Sequence, residues 1–353
     1  MFKKIRLHQL NAAILVSLAL MIPWGCANFS PIAKNDPEHI SSATSTETPE
    51  SPKNPRLVIS IYDQKLGLLD GALVLKTFPV STARAGAGEL LDSGKTPRGR
   101  HEIVAKIGDG APLGAVFDSL KPTGEVVEMN APGVTGVSTR ILRLAGLESR
   151  NLNTFDRLIY VHGTPAENRL GVADSGGCIR VSAREIIWLH DQVAIGTEVF
   201  IFEEPFEDAL NLLNSRERRY ATTLEQALAG HRSSVAQLCY EHAFGVNGTA
   251  LRPLEALKWC TVGEQMGDPA ATALLGMLHE EGKGAPKNIE VAKMYFGRAA
   301  DLGNPHAHFR LAHLAYADVR GGASDANMFK HLFASAELGH SGARSWLASL
   351  PHP

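Results

Sequence analysis

Two residues in this chain have the types and spacing for nucleophilic chemistry. His162 lies in Tyr160-Val161-His162-Gly163-Thr164. Cys178 follows 16 positions later, in Ser175-Gly176-Gly177-Cys178-Ile179-Arg180-Val181. A lone Cys with a His elsewhere is a candidate nucleophile with its base. The thiolate is the reactive form, and a neighbouring imidazolium lowers the thiol's pKa. Gly176-Gly177 lets the backbone turn sharply and lets a carbonyl approach backbone N–H groups, as an oxyanion site requires. If Ile179 faces a core, Arg180 and Cys178 share the opposite face of an extended segment. A guanidinium there can clamp a substrate carboxylate through two hydrogen bonds. Each residue also has a plain structural reading: a small buried hydrophobe, a turn, a satisfied His. Spacing alone leaves both readings open.

The elements that must position these residues read as strands over 56–203. Leu57-Val58-Ile59-Ser60-Ile61-Tyr62 is a β-rich run. Leu66–Leu69 and Leu73–Leu75 flank Asp70-Gly71, a hairpin signal. His101–Lys106, Glu125–Met129, Leu158–Val161 and Thr197–Phe202 are further strand candidates, and Ala183–Gln192 is helix-like. Gly and Pro punctuate the stretch from Ile107 to Thr154, which predicts a functional loop or one with its own structure. The fold expected here is mainly β.

Residues 231–353 change character. Gly267, Gly303 and Gly339 recur at a spacing of 36, each before a small or polar turn residue. Ala256, Ala292 and Met328 keep the same interval, as do Cys260, Phe296 and Leu332, and Cys239, Leu275 and Leu311. Apolar columns at a constant period predict stacked helical hairpins, an all-α solenoid whose neighbours share one core. Residues 204–230 read as a connecting helix or linker. Cys239 and Cys260 occupy core columns of the first hairpin. They form either a disulfide staple or two buried free thiols. The repeat-region His residues match no standard metal spacing, so no metal is expected.

The 353 residues make two to three domains. Lys+Arg number 35 against 37 Asp+Glu, which argues against a nucleic-acid partner held by a basic field. Apolar residues are 44% and charged residues 20%, far from the disorder signature. Lys3, Lys4 and Arg6 precede an apolar run from Ala12 to Ile22, so residues 1–26 read as an export segment. Cys26 after Gly25 resembles a bacterial lipoprotein cleavage site, with membrane anchoring by lipid at Cys26. Cleavage after Ala27, freeing a soluble protein, is the other reading. Residues 27–55, rich in Ser, Thr and Pro, read as a flexible tether. The expected location is the periplasm or cell envelope.

Taken together, His-Gly-Thr followed by Ser-x-Gly-Cys-Ile-Arg resembles the signature of the L,D-transpeptidase catalytic domain (YkuD type). The likeness runs through 56–203. It includes Gln64, the Asp70-Gly71 hairpin, Pro79-Val80-Ser81-Thr82, Gly94-Lys95-Thr96-Pro97-Arg98-Gly99-Arg100-His101, and Thr139–Leu144 with Gly146-Leu147-Glu148. The helical tail, through Ala299-Ala300-Asp301-Leu302-Gly303 and Gly282-Lys283-Gly284, resembles Sel-one-like repeats, relatives of tetratricopeptide repeats. Its third unit is degenerate, with Gly321-Gly322 in place of that Gly-x-Gly.

The resemblance implies Cys178 as nucleophile, His162 as base and the Gly163 carbonyl as the group that orients it. It implies oxyanion donors at Gly177 and Cys178, with Tyr160, Ser175, Gly176 and Arg180 also lining the substrate. Many members carry a second His where this chain has Gly176. The implied function is L,D-transpeptidation of peptidoglycan stem peptides through a Cys thioester, without cofactor, while the repeats dock a protein partner. The alternatives are an L,D-carboxypeptidase, an enzyme attaching proteins to the wall, and a catalytically idle peptidoglycan-binding scaffold.

Overall fold

The computed structural model describes residues 51–318 and 326–350. The export segment, Cys26, most of the tether, and Gly321-Gly322 lie outside the described residues. Ten strands form one curled sheet: β1 (Pro55–Ser60), β2 (Lys65–Asp70), β3 (Leu73–Pro79), β4 (Gly99–Ile107), β5 (Ala115–Asp118), β6 (Lys121–Val126), β7 (Val137–Gly146), β8 (Tyr160–Thr164), β9 (Ile179–Ser182) and β10 (Glu198–Phe202). The order is β3-β2-β1-β10-β4-β7-β5-β6, with β8 also paired to β7 and β9 to β8. β1 pairs β10 in parallel, and so does β8 with β9. Past β3 the chain bends back on β9. Ser81 and Arg180 exchange backbone hydrogen bonds of 3.0 and 2.9 Å, curling the sheet towards a half-barrel.

The Ile107–Thr154 stretch is not a long loop. It holds β5, β6 and the ten-residue β7. The expected Glu125–Met129 strand is instead β6 at Lys121–Val126, all exposed. The strand expected at Leu158–Val161 starts later, at Tyr160, because Leu158 takes a positive φ of 56°. The hairpin turn is also one residue on: Asp70 closes the ladder with Leu73, leaving Gly71-Ala72 as the loop. β7 escaped notice because its two faces bury different partners, so the alternation of apolar and polar residues is lost. Leu142 and Leu144 join Val161, Ile179, Val181 and Ile103 in the main core. Ile141, from the other face, packs with Ala115, Phe117, Tyr160 and Cys178.

Helix α1 (Ala183–Gln192) lies on the main-core side. Ser182 caps it, accepting from Glu185 N, while its hydroxyl donates to the Glu185 carboxylate. Ile186 and Leu189 then pack into the main core. The 23-residue α2 (Phe206–Leu228) serves both halves of the molecule. Phe206, Ala209 and Leu213 pack on Val58, Leu69, Phe200 and Phe202 of the sheet. Ala227, with Tyr220 and Leu224, packs on Val235 and Leu238 of α3 (Arg232–Phe244).

Helices α4 (Pro253–Gln265), α5 (Pro269–Glu281), α6 (Ile289–Asp301), α7 (Pro305–Asp318), α8 (Ala326–Glu337) and α9 (Ser341–Ser349) follow. Gly267, Gly303 and Gly339 have φ of 71°, 81° and 96° just past α4, α6 and α8. The 36-residue period is therefore a helix-termination signal, left-handed backbone that Gly adopts at least cost. Cys260, Phe296 and Leu332 are fully buried, as the column register requires. Cys239 and Cys260 are bonded, tying α3 to α4.

Closing a loop of this length stabilises a fold by about 3 kcal/mol in the chain-entropy picture. Replacing both cysteines by Ala should lower the melting temperature by several degrees. The intact mass of the unreduced protein should read two hydrogens below that of the reduced one.

Candidate active site

The site is built on the parallel pair β8–β9. Val161 sits opposite Ile179 and His162 opposite Arg180. Tyr160 and Cys178 stand one step earlier. Ile179 and Val161 are in the main core with no exposure. Strand alternation therefore puts Tyr160, His162, Cys178 and Arg180 on the opposite face. That face is covered near Cys178 by Ala115 and Phe117 of β5.

His162 is 3% exposed, and its Nδ1 lies 2.8 Å from the Gly163 carbonyl oxygen. A carbonyl only accepts, so Nδ1 carries the proton and Nε2 is left with a free lone pair. Gly163 is needed where it stands. A Cβ there would lie 2.5 Å from the Ser138 carbonyl and 2.9 Å from Ile186 Cγ2. Cys178 is half-buried, and its thiol donates to the Leu158 carbonyl at 3.3 Å. Among the described residues no hydrogen bond joins the thiol to the imidazole.

Desolvation favours the neutral form of both groups. Burial pushes the Cys178 thiol up to about 11, against the Tyr160 backbone N–H and Arg180, which favour the thiolate. Burial, with Arg180 nearby, holds His162 down to about 4, and the Gly163 hydrogen bond offsets only part of this. This opposes the imidazolium that the residue types suggested would lower the thiol's pKa. Desolvation disfavours both charges, and the thiol is tied to a carbonyl that stabilises its protonated form.

The segment before Cys178 is held from three sides. Thr96 Oγ1 donates to the Gly177 carbonyl at 2.9 Å. Ser175 Oγ donates to the Cys178 carbonyl at 2.6 Å and accepts from Gly177 N at 3.2 Å. Thr82 O accepts from Ser175 N at 2.8 Å, and Thr82 is itself clasped by Gln64 through two 2.7 Å bonds. The Thr-Pro segment and Gln64 singled out in the sequence thus act as braces. Gly177, at φ 135°, would bring a Cβ to 3.1 Å from Ile159 Cδ1. A Cβ on Gly176 would meet nothing within 4 Å, so sterics do not explain the missing second His.

Residue-type reasoning missed Asp174, Arg84 and Arg169. Asp174 bonds Arg84, lies 2.7 Å from Arg169 Nη1 and 3.6 Å from Arg180 Nη1. Arg84 first, then Arg169, hold its carboxyl down to about 2. Three arginines from separate segments carry no common sequence signal; only the bend after β3 assembles them.

A cavity of about 400 Å³ lies elsewhere, among Arg100, Phe200, Arg216, Tyr220, His242 and Arg252. It contains no cysteine; its Tyr220 hydroxyl lies 3.0 Å from His242 Nε2, and its Thr249 hydroxyl donates to the Glu241 carboxylate. The described residues contain no group of three or more metal-ligating side chains.

Alkylation of Cys178 by iodoacetamide should climb about tenfold per pH unit from pH 7 to pH 10, following the thiolate fraction. A plateau by pH 8 would mean an ion pair at rest instead. His101, fully buried, is likewise held down to about 4 by burial. The unfolded chain binds protons on both imidazoles below 6.5 that the folded chain refuses until about 4. Stability should therefore be full above pH 6.5 and fall as pH drops towards 4, by up to about 3 kcal/mol for each His. Melting temperature against pH checks it.

The sequence model of the L,D-transpeptidase catalytic domain (YkuD) matches residues 54–201, and that of the Sel1 repeat matches residues 269–304. No curated protein matches the chain. A Sel1 repeat protein from Oxalobacter formigenes is 22% identical (TM-score 0.34), over 40% of this chain and 58% of that one. An L,D-transpeptidase from Mycobacterium smegmatis is 19% identical (TM-score 0.28), over 42% and 58%. One from Xylanimonas cellulosilytica is 20% identical (TM-score 0.28), over 44% and 63%. The chain spans less than two thirds of each of these structures. The YkuD match thus covers the β-rich region, β1 to β10, and the Sel1 match covers the α5–α6 hairpin.

Proposed function

We propose that this protein is a cysteine-dependent L,D-transpeptidase acting on peptidoglycan stem peptides in the cell envelope. The observation that carries the reading is the 2.8 Å bond from His162 Nδ1 to the Gly163 carbonyl. It fixes the tautomer whose Nε2 can take a proton, on the face that also bears the half-buried thiol of Cys178.

The resting values set the order of events. Moving the proton from a thiol at about 11 to an imidazole at about 4 costs roughly 10 kcal/mol. The attraction of the resulting ion pair returns only about 4 kcal/mol at contact in a medium of effective dielectric ~20. Desolvation thus opposes a free thiolate–imidazolium pair, and proton transfer accompanies attack. Substrate binding turns the thiol from the Leu158 carbonyl towards Nε2. Sulfur adds to the carbonyl between the diamino acid's L-centre and the terminal D-residue as His162 takes the proton. Backbone N–H groups of the Gly177–Cys178 turn receive the developing oxyanion, with Gly177 N exchanging its long bond to Ser175 for it. His162 then protonates the leaving amine, and a thioester remains.

An amine of a second stem peptide gives its proton to His162 and displaces the sulfur. One amide replaces another, so no energy source is required. Tyr160 and Ser175 shape the groove, and Arg180 meets the substrate's charge. The repeats dock a protein partner, and lipid on Cys26 anchors the chain.

Purified protein incubated with tetrapeptide-bearing muropeptides should yield cross-linked dimers by mass spectrometry. Loss of one residue without dimers would assign a carboxypeptidase, and no change an idle binding domain. Cys178→Ala should abolish turnover, and His162→Ala should cut it about a hundredfold or more. Full activity in Cys178→Ala ends the assignment.

A further inference from the structure

We infer that Arg84, Arg169 and Arg180, gathered around Asp174, form a carboxylate-binding subsite beside Cys178 that selects anionic peptides. The inference deepens the function proposed above and rests on it for the identity of the peptide, not for the existence of the subsite.

The charge count comes first. One carboxylate faces three guanidinium groups, a surplus of two positive charges. Asp174 is 13% exposed in its side chain, whereas Arg84 is 73% exposed and Arg169 55%. The anion is therefore inside the cluster with the largely buried Arg180, while Arg84 and Arg169 face solvent. Each guanidinium has five N–H donors, and one carboxylate has two oxygens. Most donors of Arg84 and Arg169 remain open to a second anion.

The cluster is also fixed in place. Asp174 N donates to the Thr82 carbonyl at 3.0 Å and to Ser81 Oγ at 3.2 Å. Arg84 N donates to the Ser175 carbonyl at 3.0 Å. Arg180 N donates to the Ser81 carbonyl at 2.9 Å. The backbone of Asp174, Arg84 and Arg180 is thus tied together through the Ser81–Arg84 segment and the Asp174–Arg180 run that carries Cys178. Asp174 is a splint: it orients the guanidinium groups without neutralising them. Arg180 links the cluster to the chemistry, since it lies two residues from Cys178 on the same face and its charge acts on both Cys178 and His162.

Such an arrangement recognises a planar carboxylate by paired hydrogen bonds and rejects its carboxamide. A stem peptide ending in a free carboxylate, or carrying one on its diamino acid, fits it.

Iodoacetate and iodoacetamide test the subsite directly on the full chain. Both consume the Cys178 thiolate, so their rate ratio cancels any change in thiolate fraction and reports local charge. The ratio, scaled to that of free N-acetylcysteine and read at Cys178 by peptide mass mapping, should be about fourfold higher in the wild type than in the double variant Arg84→Gln, Arg169→Gln. A factor of that order is what the loss of two nearby positive charges, screened by water, produces. Both side chains are largely exposed, so the variant should fold; its melting curve checks this. A tetrapeptide and its terminal carboxamide should differ in KM for the wild type, and that discrimination should shrink in the variant.

An unchanged ratio overturns the subsite even if muropeptide turnover is normal. A lowered ratio with no turnover of any muropeptide sustains the subsite and sinks the transpeptidase reading instead.

Discussion

The pairing of β8 with β9 is the constraint on which the rest depends. Two short parallel strands, one residue out of step, would exchange the core face for the open face. Val161 and Ile179 would then leave the main core, and His162 and Cys178 would enter it. Burial of those apolar side chains is what holds the register, at about 25 cal/mol for each Å² removed from water. The Ser81–Arg180 bridge closes the other side of β9. The candidate nucleophile and base thus owe their shared face to residues that do no chemistry.

Desolvation at this face has two consequences. It favours the protonated thiol and the neutral imidazole. It also lowers the local dielectric, which strengthens every hydrogen bond a substrate makes once it displaces water. Arg84 and Arg169 sit at the solvent edge, where they cost little to keep charged.

The connection between the halves is a matter of packing rather than of reach. Helix α2 gives its first turns to the sheet and its last to α3. Arg100 of β4 also donates to the Gly248 carbonyl in the loop between α3 and α4. The first repeat hairpin is further stapled by its disulfide. The helical array is therefore seated against the β-rich fold at this junction.

Much was legible in the chain itself. A 36-residue recurrence of Gly, with apolar columns in step, determines stacked hairpins because only Gly takes left-handed backbone cheaply and only stacking buries those columns. The Ser-x-Gly-Cys-Ile-Arg run and His162 are local, and so were readable. Helix α1 was read as helix-like over Ala183–Gln192, and the structure has it over those residues. Tertiary structure alone decided the rest. β7 is buried on two unlike faces, which erases its period. The preference of Cys178 and His162 for their neutral forms depends on how much water the fold removes. Arg84, Arg169 and Asp174 lie up to 90 positions apart and meet only because the chain bends back after β3. Local sequence encodes backbone preference and side-chain type; long-range proximity and desolvation belong to the folded whole.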